Sequence, residues 1–338
     1  MKHFCLLMGK FPQFLDHIAP FAIELDVPLV IIEPDVYELA EKYYPNLNAV
    51  KASDIYLMSH YIPGAETIFS CITHKIIKGA FSIIKDFTHI FLPHGMSEKA
   101  AFIKDYFAHF KDEKNILVYG DQLKRMINND ANLPDSSFTS LGNYRYQHYL
   151  KNKEFYDQKF SDLNIQTDKP LILYAPTWND NTQGSSFASC SKILDKLSKK
   201  YQVICKWHPH LFWQEPDFLN SIEKKHPDVF FLRKFPLIFP ILSSISLYIG
   251  DLSSIGYDFL AFEKPMVFLD ETNKTSKLFA CGEVLKKSAY SNINHAIERA
   301  ITNHEKRLPA IRDLKTHAFG LEQTTESFTM KSGKAHGL

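Results

Sequence analysis

The sequence lacks the short signatures that mark several common enzyme classes. It has no GxGxxG segment, no Walker P-loop, no HExxH pair and no GxSxG elbow. These absences argue, in that order, against dinucleotide-dependent dehydrogenases, P-loop NTPases, zinc proteases and α/β-hydrolases. The function therefore has to be sought in less familiar patterns.

Excess charge and paired cysteines are also missing. Lys and Arg number 39 against 38 Asp and Glu, a formal net charge of +1. Proteins that bind duplex nucleic acid carry a basic stripe, so we expect no nucleic-acid partner, although a local patch could still hold phosphates. The five cysteines form no CxxC pair and no Cys/His metal spacing, which predicts buried free thiols in a reducing compartment and no metal site.

Long apolar runs are absent as well. The most apolar stretch, 235–250, is broken by Pro236, Pro240 and three serines, whereas a membrane-spanning helix needs about 20 apolar residues. The N-terminal segment has no long apolar region and no small-residue cleavage site, so we interpret it as a first strand rather than a signal peptide. We expect a cytoplasmic protein.

Short apolar runs alternate with longer amphipathic stretches, which predicts an α/β protein with parallel strands. A polar region at 150–168 interrupts the pattern before it restarts, so we expect two doubly wound sheets in series, facing each other. The predicted domains are 1–150, 151–310 and a helical tail at 311–338. The predicted strands are 4–7, 29–32, 54–58, 89–92, 116–119, 171–174, 202–205, 229–232, 247–249 and 266–269. The predicted helices are 13–25, 67–85, 186–200, 255–262 and 293–301.

Ligands of such sheets bind beyond the carboxyl ends of the strands. Four predicted strands are followed there by polar or aromatic segments that could contact a ligand. These segments are His94-Gly95, Thr177-Trp178, Lys206-Trp207-His208 and Asp251-Leu252-Ser253-Ser254.

Each of these residues has a functional and a structural interpretation. Ser253 and Ser254 precede a predicted helix, whose free N–H groups suit a phosphate, but a serine there also simply caps a helix. His208 beside Lys206 could donate to a phosphate or could be a turn residue. His94 could accept a proton from an attacking hydroxyl or could only shape its loop.

The order of the motifs resembles the CDP-glycerol glycerophosphotransferase family, which includes the teichoic-acid primases and polymerases. The resemblance covers roughly 89–270. Its more specific parts are the Tyr-Ala-Pro-Thr-Trp and Asp-x-Ser-Ser segments. The matching segments are His94-Gly95, Gly142-Asn-Tyr-Arg145, Tyr174-Ala-Pro-Thr-Trp178, Lys206-Trp-His-Pro209, Asp251-Leu-Ser-Ser254, Asp258-Phe259 and Lys264-Pro265.

This resemblance implies a GT-B fold of two Rossmann-like domains with a cleft between them, the first serving the acceptor and the second the nucleotide donor. It implies transfer of a glycerol phosphate, or a related alditol phosphate, from a CDP-activated donor to a hydroxyl of a saccharide or lipid-linked acceptor, with CMP leaving. It implies catalytic roles for His94 and His208 and no metal cofactor. It places the remaining candidates around the donor phosphates: Gly95, Arg145, Thr177, Lys206, Asp251, Ser253 and Ser254.

The sequence departs from the family pattern in three places. Met96 and Ser97 follow His-Gly where the family has Thr and Pro, and of the paired lysines only Lys99 remains. Asn-Asp is missing after Arg145, and Leu252 replaces a Tyr. The alternatives are therefore a GT-B glycosyltransferase that uses a nucleotide sugar and a non-catalytic nucleotide-binding member.

The stretch 72–87 places Lys75, Lys78 and Lys85 beside several isoleucines. Such a stretch could lie on the cytoplasmic face of an anionic membrane as a peripheral contact. The alternative is a core helix with a solvated lysine face.

Overall fold

The computed structural model describes residues 1–81, 86–98, 104–165, 167–178, 184–197, 200–272 and 274–320, apart from the Met58 side chain. By its contacts the chain divides into two compact units. Unit 1 comprises Met1–Met96, Lys104–Asn152 and the described residues from His317 onward. Unit 2 comprises Ser97 and Glu98 together with Lys153–Thr316.

Unit 1 is built on a seven-stranded sheet in the order β3-β2-β1-β4-β5-β6-β7, and all neighbouring strands are parallel. Its strands are β1 (His3–Leu7), β2 (Leu29–Ile31), β3 (Ala49–Lys51), β4 (Thr67–Ser70), β5 (Thr88–Phe91), β6 (Asn115–Val118) and β7 (Ser137–Ser140). Its helices are α1 (Pro12–Glu24), α2 (Pro34–Tyr43), α3 (Asp54–Tyr56), α4 (His74–Phe81), α5 (Asp121–Ala131) and α6 (Tyr144–Lys151).

Unit 2 is built on a six-stranded parallel sheet in the order β10-β9-β8-β11-β12-β13. Its strands are β8 (Leu171–Ala175), β9 (Gln202–Lys206), β10 (Phe230–Leu232), β11 (Leu247–Gly250), β12 (Met266–Asp270) and β13 (Glu283–Lys286). Its helices are α7 (Lys153–Ser161), α8 (Cys190–Leu197), α9 (Leu211–Gln214), α10 (Pro216–Lys225), α11 (Phe239–Ser244), α12 (Ser254–Phe259), α13 (Ile293–Thr302) and α14 (His304–Phe319). Helix α14 continues into unit 1 at His317.

The central strands are buried on both faces, as parallel strands covered by helices require. Every residue of β11 and of β12 is buried. Their continuous apolar runs therefore form the centre of the unit 2 core, with α8 and α13 supplying further buried side chains.

Each sheet has one point where the strand order reverses. In unit 1 the reversal lies between β1 and β4, and in unit 2 it lies between β8 and β11. The connections leaving such a pair run to opposite faces of the sheet, which opens a crevice at the carboxyl edge. The carboxyl edge near β8 and β11 is therefore the first place in unit 2 to look for a site.

The α/β class and the two parallel sheets predicted from the sequence are confirmed. The predicted strand at 54–58 is wrong: Ser53 caps α3 by accepting a hydrogen bond from the Tyr56 N–H, and a π-helical turn follows at Leu57–Tyr61. The predicted helix at 67–85 is wrong at its start, because Thr67–Ser70 forms β4.

Besides β4, three further strands were not predicted: β3, β7 and β13. Each is short, is mostly not fully buried and carries at least one polar residue, so the apolar signal is weak. Lys85, Lys99, part of the predicted 186–200 helix and residues 321–338 of the predicted tail lie outside the described residues. The described part of that tail continues α14, which begins before residue 311, at His304.

Candidate functional site

The Asp251 carboxylate joins two loops at the switch point of unit 2. It is completely buried directly after β11. Its Oδ1 accepts a hydrogen bond from the Thr177 N–H at 2.9 Å, and its Oδ2 accepts from the N–H and the hydroxyl of Ser186 at 2.7 and 3.0 Å. Asp251 therefore fixes the loop after β8 against the loop after β11.

The contacts of Asp251 thus position the two loops relative to each other. A carboxylate repels phosphate, and this one already accepts three hydrogen bonds from the protein. Thr177 is buried and contributes its backbone to the same arrangement, and its carbonyl accepts a bond from the Ser185 hydroxyl at 2.7 Å. The predicted contact of both residues with a donor stays a prediction.

The chain can pass into this loop because position 250 is a glycine. A Cβ atom built on Gly250 would lie 2.1 Å from the Tyr248 hydroxyl oxygen and 3.1 Å from the Ala175 carbonyl oxygen. The Tyr248 hydroxyl also lies 3.3 Å from the Ser253 hydroxyl. Burial raises the pKa of Tyr248, so the phenol stays neutral and serves as a hydrogen-bonding group.

Ser253 and Ser254 stand at the start of α12. Ser253 is buried, and its hydroxyl accepts a hydrogen bond from the Ile255 N–H at 3.2 Å, so its predicted capping role is confirmed. Ser254 is the first residue of the helix and is partly exposed. A phosphate contact by either hydroxyl stays a prediction.

Lys206 and His208 follow the same edge at the end of β9. The Lys206 ammonium donates to the Phe235 carbonyl at 3.2 Å and is partly buried. The His208 Nδ1 lies 3.3 Å from the His210 backbone N–H, which can only donate. Nδ1 is therefore the acceptor, and a neutral His208 carries its proton on Nε2, where it can donate to an anion.

In unit 1, His94 lies in the loop after β5 with its ring exposed. The ring packs on Phe14, with centroids 4.3 Å apart, and lies edge-on to His17 at 6.5 Å. Gly95 follows with a φ of 131°, a backbone conformation that favours glycine. An exposed imidazole held by a neighbouring ring is compatible with proton transfer to or from a substrate.

Behind His94 lies the buried imidazole of His17, which the sequence did not single out. Its Nδ1 is 2.5 Å from the Tyr119 hydroxyl. Burial lowers the pKa of His17 well below its ordinary value, and the nearby Arg145 and His94 lower it further, so this ring stays neutral.

Arg145 is buried on α6 and contacts Asp16 on α1. Its Nε donates to the Asp16 carbonyl at 3.0 Å, and an Nη2 nitrogen bonds the Asp16 carboxylate. The neighbouring Tyr144 hydroxyl donates to the His17 carbonyl at 2.8 Å. These contacts hold α6 against α1, and the predicted place of Arg145 beside the donor phosphates stays a prediction.

The structure therefore brings most of the predicted residues together in unit 2, at the carboxyl ends of three neighbouring strands, β9, β8 and β11. These are Thr177, Lys206, His208, Asp251, Ser253 and Ser254. His94, Gly95 and Arg145 belong to unit 1. The sequence gives no sign of Asp16, His17, Tyr119 or Ser186, because partners 65 to 129 residues apart leave no local spacing signal.

Neither a metal site nor a membrane span emerges from the described residues. Within the described ranges, no group of three or more His, Cys, Asp or Glu residues could hold a metal ion. No described helix is both long and apolar enough to cross a bilayer. The five cysteines are buried and free, as predicted.

Two doubly wound parallel sheets, with polar residues after the strands at the switch point, define the GT-B class of transferase folds. Solved structures support this class. The wall teichoic acid polymerase TagF superposes with a TM-score of 0.68 at 13% identity, over 99% of this chain and 88% of that one. Anabaena HepE in complex with UDP and glucose gives a TM-score of 0.61 at 10% identity, over 100% of this chain and 99% of HepE.

The family is narrower than the fold. The model of the CDP-glycerol:poly(glycerophosphate) glycerophosphotransferase family matches residues 70–275, more than half of the chain. The chain belongs to this family.

Two curated relatives match the chain in part. The teichoic acid glycerol-phosphate primase of Bacillus subtilis is 26% identical over 159 residues, which is 45% of this chain and 38% of the primase. The teichoic acid poly(glycerol phosphate) polymerase of Bacillus spizizenii is 28% identical over 154 residues, which is 41% of this chain and 34% of the polymerase. The chain thus spans little more than a third of the length of either relative.

Proposed function

We propose that this protein transfers a glycerol phosphate, or a related alditol phosphate, from a CDP-activated donor to a hydroxyl group of a surface-polymer or lipid-linked acceptor. The observation that carries the proposal is the extent of the family match. Residues 70–275 include every candidate site residue, from His94 and Gly95 to Ser253 and Ser254. The proposed activity thus rests on the part of the chain that belongs to the family.

In the proposed reaction the acceptor oxygen attacks the β-phosphorus of the donor. A new P–O bond forms, the bond from that phosphorus to the bridging oxygen breaks, and CMP leaves with the bond electrons. His94 takes the proton of the attacking hydroxyl. Its exposed ring, packed on Phe14, supports this role because a general base must reach its substrate.

In the proposed arrangement, the donor phosphates lie at the carboxyl edge of the unit 2 sheet. His208 donates its Nε2–H to a phosphate oxygen. This N–H is available because Nδ1 is the acceptor of the His210 N–H. Ser254, partly exposed, offers a hydroxyl and a backbone N–H. Fixed donors aimed at developing negative charge stabilise the transition state without a metal ion.

Calorimetric titration without added metal tests this proposal, using CMP, CDP-glycerol, CDP-ribitol and UDP-glucose. We expect CMP and at least one CDP-alditol to bind, and His208→Ala to abolish turnover without loss of the fold. Binding of UDP-glucose alone would move the protein to the nucleotide-sugar glycosyltransferases. Absence of all binding would favour a non-catalytic member of the family.

A membrane contact through α4 is a separate proposal. On this helix Ile76 is 54% exposed and Lys75 is exposed, while Ile77 and Phe81 are buried. The buried pair supports the alternative of a core helix with a solvated face. Flotation with anionic liposomes tests the contact, and a protein that stays at the bottom of the gradient would remove it.

A further inference from the structure

Four aromatic rings form a continuous cluster in unit 2 beside the predicted donor site. The ring of His210 lies 4.7 Å from that of Trp178 and 5.6 Å from that of Trp213, and the latter pair is stacked with planes 18° apart. His208 completes the cluster, 6.0 Å from Trp178 and 5.1 Å from His210. We call Trp178, His210 and Trp213 the aromatic platform; His208, which we propose as a phosphate ligand, borders it.

The platform keeps a large apolar face in contact with solvent. Trp213 is 53% exposed, although tryptophan is among the residues that gain most from burial. Trp178 is only partly buried and packs its inner side on the core. The platform is therefore anchored on the core through Trp178, and Trp213 leaves about half of its surface exposed, as a stacking surface needs.

The chemistry of the platform suits a planar, uncharged group better than a phosphate. Burial lowers the pKa of His210, so its imidazole is neutral at physiological pH. The nearest lysine on the same strand end, Lys206, directs its ammonium to the Phe235 carbonyl. Aromatic faces bind the π-faces of nucleobases through stacking and need no cation to do so.

We propose that the aromatic platform is the stacking site for the nucleobase of the activated donor. This inference rests on the proposed function, which supplies a nucleotide donor. The platform follows β8 and β9, whereas Ser253 and Ser254 follow β11, and β8 lies between the other two strands. Because neighbouring strands are about 4.8 Å apart, the ends of β9 and β11 are separated by about 10 Å, a distance that one nucleotide spans.

Stacking contributes affinity without choosing among pyrimidines, because every base has a π-face. The platform therefore predicts that CMP and UMP lose affinity together when it is damaged. Ribose 5-phosphate, which has the phosphate and sugar but no base, should lose nothing.

Intrinsic tryptophan fluorescence can detect a base that binds to the platform. It has three tryptophans, of which Trp178 and Trp213 belong to the platform. Trp207 is 1% exposed and stacked on Phe231 at 5.5 Å, so it provides a constant background. We expect CMP to quench the platform fluorescence of the full-length protein and ribose 5-phosphate to leave it unchanged.

Two substitutions of Trp213 test the affinity. We expect Trp213→Ala to raise the Kd of CMP about tenfold, which lies within the range that loss of one base–aromatic stack produces. Trp213→Phe should keep most of the affinity because it keeps a ring. Phe218→Ala is the matched control, since Phe218 is another half-exposed aromatic of unit 2, 36% exposed and packed on Phe187.

The outcomes separate this inference from the proposed function. If the wild-type protein binds CMP and Trp213→Ala leaves that Kd unchanged, the stacking site is refuted while the proposed function stands. An equal loss of ribose 5-phosphate affinity would also refute it, because the defect would then not concern the base. If the wild-type protein binds no CMP at all, the proposed function fails together with the platform.

Discussion

Replacing Asp251 by Asn tests how the candidate donor site is held together. The change conserves size and shape but converts one carboxylate oxygen into an NH2 group. The carboxylate accepts from the Thr177 N–H and from both the N–H and the hydroxyl of Ser186. In either orientation of the amide, one N–H group of Asn faces a backbone N–H at a completely buried position.

The magnitude follows from the bonds lost. A hydrogen bond to a charged acceptor contributes about 1.5–3 kcal/mol, and a buried donor left without a partner costs about 1–3 kcal/mol. We therefore expect Asp251→Asn to lower the free energy of unfolding by about 3–5 kcal/mol. That is a large share of the roughly 5–15 kcal/mol that stabilises a typical domain.

The assay is urea denaturation followed by circular dichroism, with the slope m compared between variants. Ser186→Ala is the matched control, because it removes only the hydroxyl bond to Asp251 and a weak contact with the Tyr174 hydroxyl at 3.2 Å. It should cost about 1 kcal/mol. An Asp251→Asn variant as stable as Ser186→Ala would refute the argument that this carboxylate organises the two loops.

The remaining predictions concern single positions. Gly250→Ala should destabilise unit 2 by about 1–3 kcal/mol, because its Cβ would lie 2.1 Å from the Tyr248 hydroxyl oxygen. The control is Gly79→Ala, whose Cβ would meet nothing within 4 Å and which should be neutral or stabilising. Thermal melts of both variants measure the difference. Ser254→Ala should weaken CDP-glycerol binding by about 1–3 kcal/mol in calorimetry; an unchanged Kd would remove this residue from the donor site. His94→Ala should abolish turnover while donor binding persists, and normal rates would refute its role as base. The pKa of His17 is lower in the folded protein than in the unfolded chain. As the pH drops below about 6.5 the unfolded chain therefore binds a proton that the folded protein does not, and the free energy of unfolding falls. In urea titrations His17→Gln should lose less stability than wild type between pH 7.5 and 5.5.

The class of fold was predictable from the sequence because it depends on local apolar runs. The strands β8, β11 and β12 read as continuous buried segments, and helices such as α13 have a clear amphipathic period. The segment at 54–58 misled because it is apolar but short. Its helical turn starts at a cap, where the Ser53 hydroxyl accepts a hydrogen bond from the Tyr56 N–H.

The candidate site was predictable in its location but not in its internal bonding. The rule that ligands bind beyond the carboxyl ends of strands selects Thr177, His208 and Ser254 from the sequence alone. No local pattern shows that Asp251 bonds Ser186, or that Arg145 is buried against Asp16. Such partners meet only after the chain has folded, so their roles had to be read from the structure.

The bonds of Asp251 also have a consequence for the order in which the protein folds. Its two partners precede it by 74 and 65 residues in the chain. Contacts of such long range carry a loop-closure cost and form late, and a ribosome exposes residue 251 only after the loop that carries Thr177 has been made. We therefore expect the loop that carries Thr177 to stay unorganised on a nascent chain that ends before β11, so that the candidate donor site matures among the last features of unit 2.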